Sequence, residues 1–192
     1  MQAHIEDGAT AMAVKTAIYT DVRARNKPSF YATPVARATA DFAECLIQDE
    51  EIAPHHTGMI VASDECSLGT IRELSRTAAQ GTISPLRFAG ASPSIVVGLP
   101  ALQLGLRGPT LALTMPPDHA ASAILAMIEY WIGCCNVSAV IVVAHHRQGE
   151  RHLFKGLIAR SSSGGELRQQ VLQLGDPQRA PMEAGSNDRF IP

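Results

Sequence analysis

The sequence has 192 residues, of which 46% are hydrophobic, so one sizeable core can form while two full domains would be crowded. Its 16 Lys and Arg residues nearly balance 18 Asp and Glu residues, which gives a formal net charge of -2 at pH 7. Because no long basic block is present, we expect neither nucleic acid nor an anionic membrane surface as a partner.

The first ten letters, MQAHIEDGAT, lack the basic start and the apolar core of a secretory signal. The most apolar stretch, residues 120–144, contains Glu129 and Asn136 and is interrupted at Gly133. This pattern indicates a helix followed by a strand and not a membrane span. Without a secretory signal the four cysteines are expected to be reduced thiols, and we predict a cytoplasmic protein.

Strand and helix patterns alternate along the chain, and together they predict an α/β domain with a mostly parallel sheet. The clearest strand is SAVIVVA, an almost pure run of Val and Ile. In chain order, the patterns predict strands over residues 13–22, 57–63, 109–115, 138–144 and 153–160, and helices over residues 32–49, 68–80, 95–104, 118–132 and 166–174.

Three segments are expected. Residues 1–11 are polar and small and are predicted to be a flexible N-terminus. Residues 12–174 are predicted to form one domain. Residues 175–192 are rich in Gly, Pro, Asn, Asp and Arg and are predicted to be a disordered tail.

A family resemblance is concentrated in residues 84–144. In order, this stretch contains SPLRF, a glycine at Gly98, GLRGPTLALT at residues 105–114, the helix HAASAILAMIEYWIG and the strand SAVIVVA. In this order the motifs resemble the N-terminal half of the β-ketoacyl synthase family, and the resemblance extends over about residues 12–160. It implies a thiolase-like half: a mostly parallel five-stranded sheet with helices on both faces.

The family places its nucleophilic cysteine at a tight strand-to-helix turn, where unpaired N–H groups and the helix dipole lower the thiol pKa. On this sequence the expected Ala-Cys pair falls on Pro116 and Pro117, and proline offers no thiol, hydroxyl or N–H group. The family's catalytic histidines would lie beyond the last residue of this chain. The resemblance therefore implies no catalytic residue, with Asp118 and His119 as the remaining acid/base candidates. A plain helix start at these positions is the favoured interpretation.

The resemblance implies a non-catalytic accessory protein of polyketide or fatty-acid biosynthesis. Such a protein would pair with itself, with a ketosynthase-type subunit or with an acyl carrier protein. A lone half of the fold is expected to leave an apolar layer that needs a partner, and the apolar helix 118–132 is a candidate for it. The alternative is an acyltransferase that uses non-standard residues, such as Asp118 and His119.

Three histidines follow the clearest strand: His145, His146 and His152. Metal binding is disfavoured because neighbouring residues on a strand point to opposite faces and no carboxylate or thiol has an obvious spacing. We expect a polar exit from the strand instead. No metal and no cofactor are predicted.

Two further pairs are candidates for function. Cys134 and Cys135 are expected to be small buried residues, with a reactive thiol as the alternative. Asp64 and Glu65 follow a predicted strand, which is a common functional position in α/β folds, although a solvated loop is favoured.

Overall fold

The computed structural model describes residues 14–19, 32–160 and 164–177. Within these ranges five strands and six helices are found. In chain order, the elements are β1 (Lys15–Tyr19), α1 (Pro34–Ile47), β2 (Thr57–Ser63), α2 (Leu68–Ala79), α3 (Pro85–Ala89), α4 (Ile95–Gln103), β3 (Thr110–Leu113), α5 (Pro117–Cys134), β4 (Ala139–Gln148), β5 (Arg151–Ala159) and α6 (Gly165–Gly175).

The strands form one five-stranded sheet in the order β1-β5-β4-β2-β3. The strand β2 pairs in parallel with both β3 and β4, whereas β5 pairs antiparallel with both β4 and β1. The sheet is therefore mixed, and the prediction of a mostly parallel sheet is not confirmed. The reason is the two-residue connection after β4, where Gly149 has a φ of 63°. A connection this short joins only antiparallel strands.

Helices cover both faces of the sheet, as predicted. Because side chains alternate along a strand, Met59 and Val61 of β2 face α1 and α4, whereas Ile60 and Ala62 face α5 and α6. Burying both faces explains why β2 and β4 consist of near-continuous apolar runs rather than alternating ones. The resulting two cores leave most of the polar residues of β2 and β4 at the ends of these strands.

The helix α1 lies close against β5. It begins after Thr33, whose side-chain oxygen accepts a hydrogen bond from the Ala36 N–H at 3.1 Å. Gly156 permits its approach, because a Cβ atom there would lie 2.6 Å from Leu46 Cδ1 and 2.9 Å from Phe42 Cε1.

The helix α6 is attached to the opposite face by its C-terminal carbonyl groups. His146 Nε2 lies 2.8 Å from the carbonyl oxygen of Leu174. The buried ammonium group of Lys155 donates to the carbonyl oxygens of Gln173 and Asp176. A cation at this end also suits the negative pole of the helix dipole.

The predicted elements correspond to observed ones with small shifts at their ends, but two differences stand out. The short helix α3 lies between the predicted helices 68–80 and 95–104, where no element is predicted, and β4 continues four residues farther than predicted, through His145 and His146. The strand β1 is described over Lys15–Tyr19 only, so part of the prediction for residues 13–22 lies outside the described residues. The predicted N-terminal segment and most of the predicted tail also lie outside them.

The helix α2 lies at the periphery, since none of its residues is buried. No helix in the described ranges combines the length and the apolar character needed to cross a membrane.

Candidate functional site

The turn between β3 and α5 has the geometry of an unusual helix start. Pro116 is the N-cap residue, with φ -54° and ψ 134°, and Pro117 is buried in the first turn of α5. Asp118 and His119 follow, and their side chains are 58% and 74% exposed, with His119 Nε2 3.6 Å from Asp118 Oδ2. The structure thus gives these four residues the conformation of a helix start and leaves the acid/base candidates in solvent.

The end of α6 covers the backbone of this turn. A Cβ atom at Gly175 would lie 2.7 Å from Asp118 Cα and 3.3 Å from the carbonyl oxygen of Pro117. This close packing leaves no room for a larger residue at Gly175.

The four cysteines lie away from the turn. Cys45, Cys134 and Cys135 are exposed, so the prediction that Cys134 and Cys135 are buried is wrong. They sit at the C-terminal end of α5, where the chain leaves the helix before β4 begins. Cys66 is buried, and burial raises the pKa of its thiol, which keeps it protonated and poorly nucleophilic.

A group of polar side chains is buried at the edge of the sheet where β2 and β4 end. Ser63, the last residue of β2, is opposite His145 of β4, and Arg147 of β4 is opposite His152 of β5. Since side chains alternate along each strand, His145, Arg147 and His152 all project toward the face covered by α1 and α4. The same alternation directs His146 to the other face.

Hydrogen bonds connect this group from one strand to the next. Ser63 Oγ lies 2.8 Å from His145 Nδ1, and His145 Nε2 lies 2.9 Å from His152 Nδ1. The two imidazole rings are stacked, with centroids 5.1 Å apart and planes inclined by 11°. Because His145 is fully buried, both of its ring nitrogens depend on these neighbours.

Glu65 completes the group from the turn after β2. The N–H groups of Glu65 and Cys66 both donate to Ser63 Oγ, at 3.2 and 3.0 Å, and Cys66 adopts a φ of 42°. This turn brings the Glu65 side chain, only 9% exposed, toward the histidines. Glu65 Oε1 accepts a hydrogen bond from Arg147 Nη1 at 2.6 Å.

The second carboxylate oxygen of Glu65 lacks a comparable hydrogen bond among the described residues. Glu65 Oε2 lies 4.0 Å from His152 Nδ1, and among the described residues it has no hydrogen-bond partner although it is buried. A buried carboxylate oxygen without a partner is energetically costly.

Burial holds both histidines in the neutral form. It lowers the pKa of His145 from its ordinary value of 6.5 to about 3, and the nearby charges of His152, His146 and Arg147 act in the same direction. Burial also lowers the pKa of His152, against the opposing effect of the Glu65 carboxylate. Neutral imidazole nitrogens and a carboxylate, with ligand atoms within 4.8 Å of one another, form a donor set that could hold a metal ion.

Two sequence expectations fail here. The histidines do not mark a polar exit, because His145 is fully buried and His146 is 8% exposed within β4. Glu65 is buried and not part of a solvated loop, whereas Asp64 is exposed.

The α/β fold built by these elements is similar to the fold of solved ketosynthase-type proteins. No protein-family profile matches the sequence, and no curated protein matches it. Five chains of solved structures do match, and two of these structures are described below. "The ishigamide ketosynthase/chain length factor" has a TM-score of 0.62 at 12% identity, over 76% of this chain and 49% of that one.

The second match is "Ketosynthase (ApeO) in Complex with its Chain Length Factor (ApeC) from Xenorhabdus doucetiae". It has a TM-score of 0.55 at 13% identity, over 77% of this chain and 72% of that one. The present chain thus spans about half the length of the ishigamide structure that it matches. These similarities confirm the ketosynthase-like fold implied by the sequence.

Proposed function

We propose that this chain is a non-catalytic, ketosynthase-like accessory protein of polyketide or fatty-acid biosynthesis that acts by pairing with a ketosynthase-type subunit. The observation that carries the proposal is the β3–α5 turn, which has Pro116 and Pro117 where the resemblance places the nucleophilic cysteine. A ketosynthase-like fold without a thiol at this turn retains a scaffold for pairing but lacks the nucleophile of acyl-thioester chemistry.

The other thiols do not replace the missing one. Cys66 is buried, donates to the Ser63 carbonyl oxygen at 3.2 Å and has a raised pKa. Cys45 lies in the last turn of α1, and Cys134 and Cys135 lie at the opposite end of α5 from Pro117. These three thiols therefore lack the dipole stabilisation of a helix N-terminus. These placements support a protein that does not form an acyl-cysteine intermediate.

Pairing is supported by the two similar structures, both of which are described as a ketosynthase together with a chain length factor. Among the strands that the structure describes, β3 lies at one edge of the sheet. The Met59 N–H donates to the carbonyl of Pro109 at 2.9 Å. In a parallel ladder, every second residue of a strand hydrogen-bonds to a given neighbour, so Thr110 and Ala112 direct their backbone N–H groups away from β2. An open edge of this kind can accept a strand from a partner.

The helix α5 exposes less apolar surface than is expected of a helix that contacts a partner. Six of its residues are buried against the sheet, and among its large apolar side chains Tyr130 is exposed, at 56%. The proposed partner would therefore contact the β3 edge first.

The test is a pull-down at native expression level, followed by native mass determination of the captured complex. We expect a complex with a ketosynthase-type subunit, an acyl carrier protein or a second copy of the chain. Thr110→Pro removes an outward N–H at the first residue of β3, where proline is tolerated, and should weaken the complex. Thr110→Val keeps the N–H and is the matched control. A stable monomer that captures none of these partners would overturn the proposal.

The alternative acyltransferase would use Asp118 and His119, whose side chains are 3.6 Å apart. Its test is incubation with acyl-carrier or acyl-coenzyme A thioesters, followed by mass spectrometry for an adduct or turnover. Turnover that disappears in His119→Ala would favour the enzyme over the accessory protein. Because both side chains are largely exposed, we expect neither adduct nor turnover.

A further inference from the structure

We propose that Glu65, His145 and His152 form a binding site for a divalent transition-metal ion, with Zn²⁺ as the best-fitting occupant. The three residues come from the turn after β2, from β4 and from β5, and they converge at one edge of the sheet. This inference concerns a different part of the molecule from the β3 edge and does not depend on pairing.

The distances suit a shared ion. Zn²⁺ binds imidazole nitrogen and carboxylate oxygen at about 2.0–2.2 Å, so neighbouring ligand atoms in a tetrahedral site lie about 3.4 Å apart. Here His145 Nε2 and His152 Nδ1 are 2.9 Å apart, and His152 Nδ1 and Glu65 Oε2 are 4.0 Å apart. These two values lie on either side of the tetrahedral distance, and all three ligand atoms lie within 4.8 Å of one another. Shifts of roughly half an ångström would bring these two pairs to the tetrahedral distance, and the third pair needs to close by no more than about 1.4 Å.

The unpartnered carboxylate oxygen of Glu65 is a second observation that supports a bound cation. Glu65 is about nine-tenths buried, and Arg147 binds its Oε1 atom, which leaves Oε2 aimed at the histidines without a hydrogen bond among the described residues. A cation facing Oε2 would remove the cost of this buried oxygen. It would also relieve the close approach of two imidazole nitrogens, which otherwise requires a proton between them.

The groups behind the ligands have the arrangement of an outer coordination shell. His145 Nδ1 is hydrogen-bonded to Ser63 Oγ. In the tautomer that carries a proton on Nδ1, the lone pair of Nε2 faces His152. Arg147 fixes the carboxylate through its other oxygen. Second partners of this kind orient metal ligands, and their loss commonly weakens metal affinity by about 10–100-fold.

Three protein ligands leave a fourth position for water. Solvent would reach this fourth position on the side of His152, because the side chain of His152 is 10% exposed while that of His145 is buried. The ion would join the end of β2 to the β4–β5 hairpin, and we therefore expect Zn²⁺ to raise the melting temperature of the protein.

The experiment uses the full chain after chelator treatment and desalting, with Cys134→Ser and Cys135→Ser in the background because these exposed thiols could bind Zn²⁺ on their own. Zn²⁺ is titrated in competition with a chromophoric chelator, and Co²⁺ is added in parallel to record its visible absorption bands. We expect one ion per chain, a Co²⁺ spectrum of low coordination number and a higher melting temperature with Zn²⁺.

Glu65→Gln and His152→Ala should each weaken Zn²⁺ affinity at least about tenfold. His55→Ala removes an exposed histidine outside the cluster and should leave the affinity unchanged. Far-ultraviolet circular dichroism establishes that each variant is folded, and Glu65→Gln preserves side-chain volume in case His152→Ala does not fold.

Nitrogen-15 spectra of the histidine rings supply a readout independent of affinity. Zn²⁺ should shift the Nε2 resonance of His145 and the Nδ1 resonance of His152. The proposal is overturned if the folded protein binds no Zn²⁺, or if Glu65→Gln and His152→Ala bind it as tightly as His55→Ala. It is also overturned if the ring spectra show only a proton shared between the two histidines at saturating Zn²⁺.

Discussion

Ser63 Oγ lies 2.8 Å from Nδ1 of His145, which joins the last residue of β2 to a fully buried histidine of β4. The same oxygen accepts the N–H groups of Glu65 and Cys66, so one hydroxyl fixes both the turn after β2 and the imidazole ring. Three interactions therefore depend on a single buried side chain.

Ser63→Ala should lower the free energy of unfolding by about 1–3 kcal/mol, because it leaves a buried ring nitrogen without its hydrogen-bond partner and two N–H groups without their acceptor. Urea denaturation measures the change. Ser122→Ala, at an exposed position on α5, is the control and should stay within about 0.5 kcal/mol of the original protein. Equal stability of the two variants would contradict the role assigned to Ser63.

Acidification should destabilise the metal-free protein through His145. Its pKa is about 3 in the folded protein and 6.5 ordinarily, so the unfolded chain takes up a proton first as the pH falls. The contribution is fully present above about pH 6.5 and is lost at about 1.4 kcal/mol per pH unit below it, which gives about 2 kcal/mol by about pH 5. The lowered pKa of His152 acts in the same direction.

Urea denaturation at several pH values, with a chelator present, tests this dependence. In His145→Asn the decline between about pH 6.5 and about pH 5 should be clearly shallower, because one titrating group is removed. A decline of the same steepness in both proteins would show that other groups cause it.

Gly156→Ala should destabilise the protein by about 1–3 kcal/mol, since the added methyl group would overlap Leu46 and Phe42 of α1. Gly98→Ala is the control, because a Cβ atom there meets nothing within 4 Å. Thermal denaturation ranks the two variants. Combining Gly156→Ala with Leu46→Ala should cost less than the sum of the two single changes, because the second change makes room for the first. Strict additivity would contradict a direct overlap.

Lys155→Met should loosen α6 without unfolding the sheet. The substitution removes the ammonium group that binds the carbonyl oxygens of Gln173 and Asp176, while a side chain of similar length still fills the site. Hydrogen exchange followed by mass spectrometry should show faster exchange in Gly165–Gly175, with β2 and β4 unchanged. Uniform acceleration across the protein, or no change in α6, would contradict this local role.

Regular alternation of helix and strand signals made most of the fold predictable. The Val and Ile runs of β2 and β4 and the spacing of apolar residues in α1 and α5 each reflect burial against one face of the sheet. The direction of β5 was not predicted, because the turn at Gly149 was not recognised as a hairpin. A Gly in a two-residue connection between two strands was the available signal.

The candidate site was less predictable than the fold. His145 and His152 become neighbours only through the β4–β5 hairpin, and recognising the Gly149 turn would have placed them diagonally on one face. The sequence carries no sign that Glu65 lies near the histidines, since 80 positions separate Glu65 from His145. Their meeting depends on the pairing of β2 with β4, which no local pattern in the sequence specifies.

The pairing of β1 with β5 also has a consequence for the order of folding. Among the strands that the structure describes, Lys15–Tyr19 pairs only with Arg151–Ala159, so the first of these strands in chain order pairs with the last. The hairpin of β4 and β5 closes a very short loop, whereas joining β1 closes one that spans most of the chain. During synthesis, β1 can therefore join these strands only after β5 has been made, more than 130 residues later.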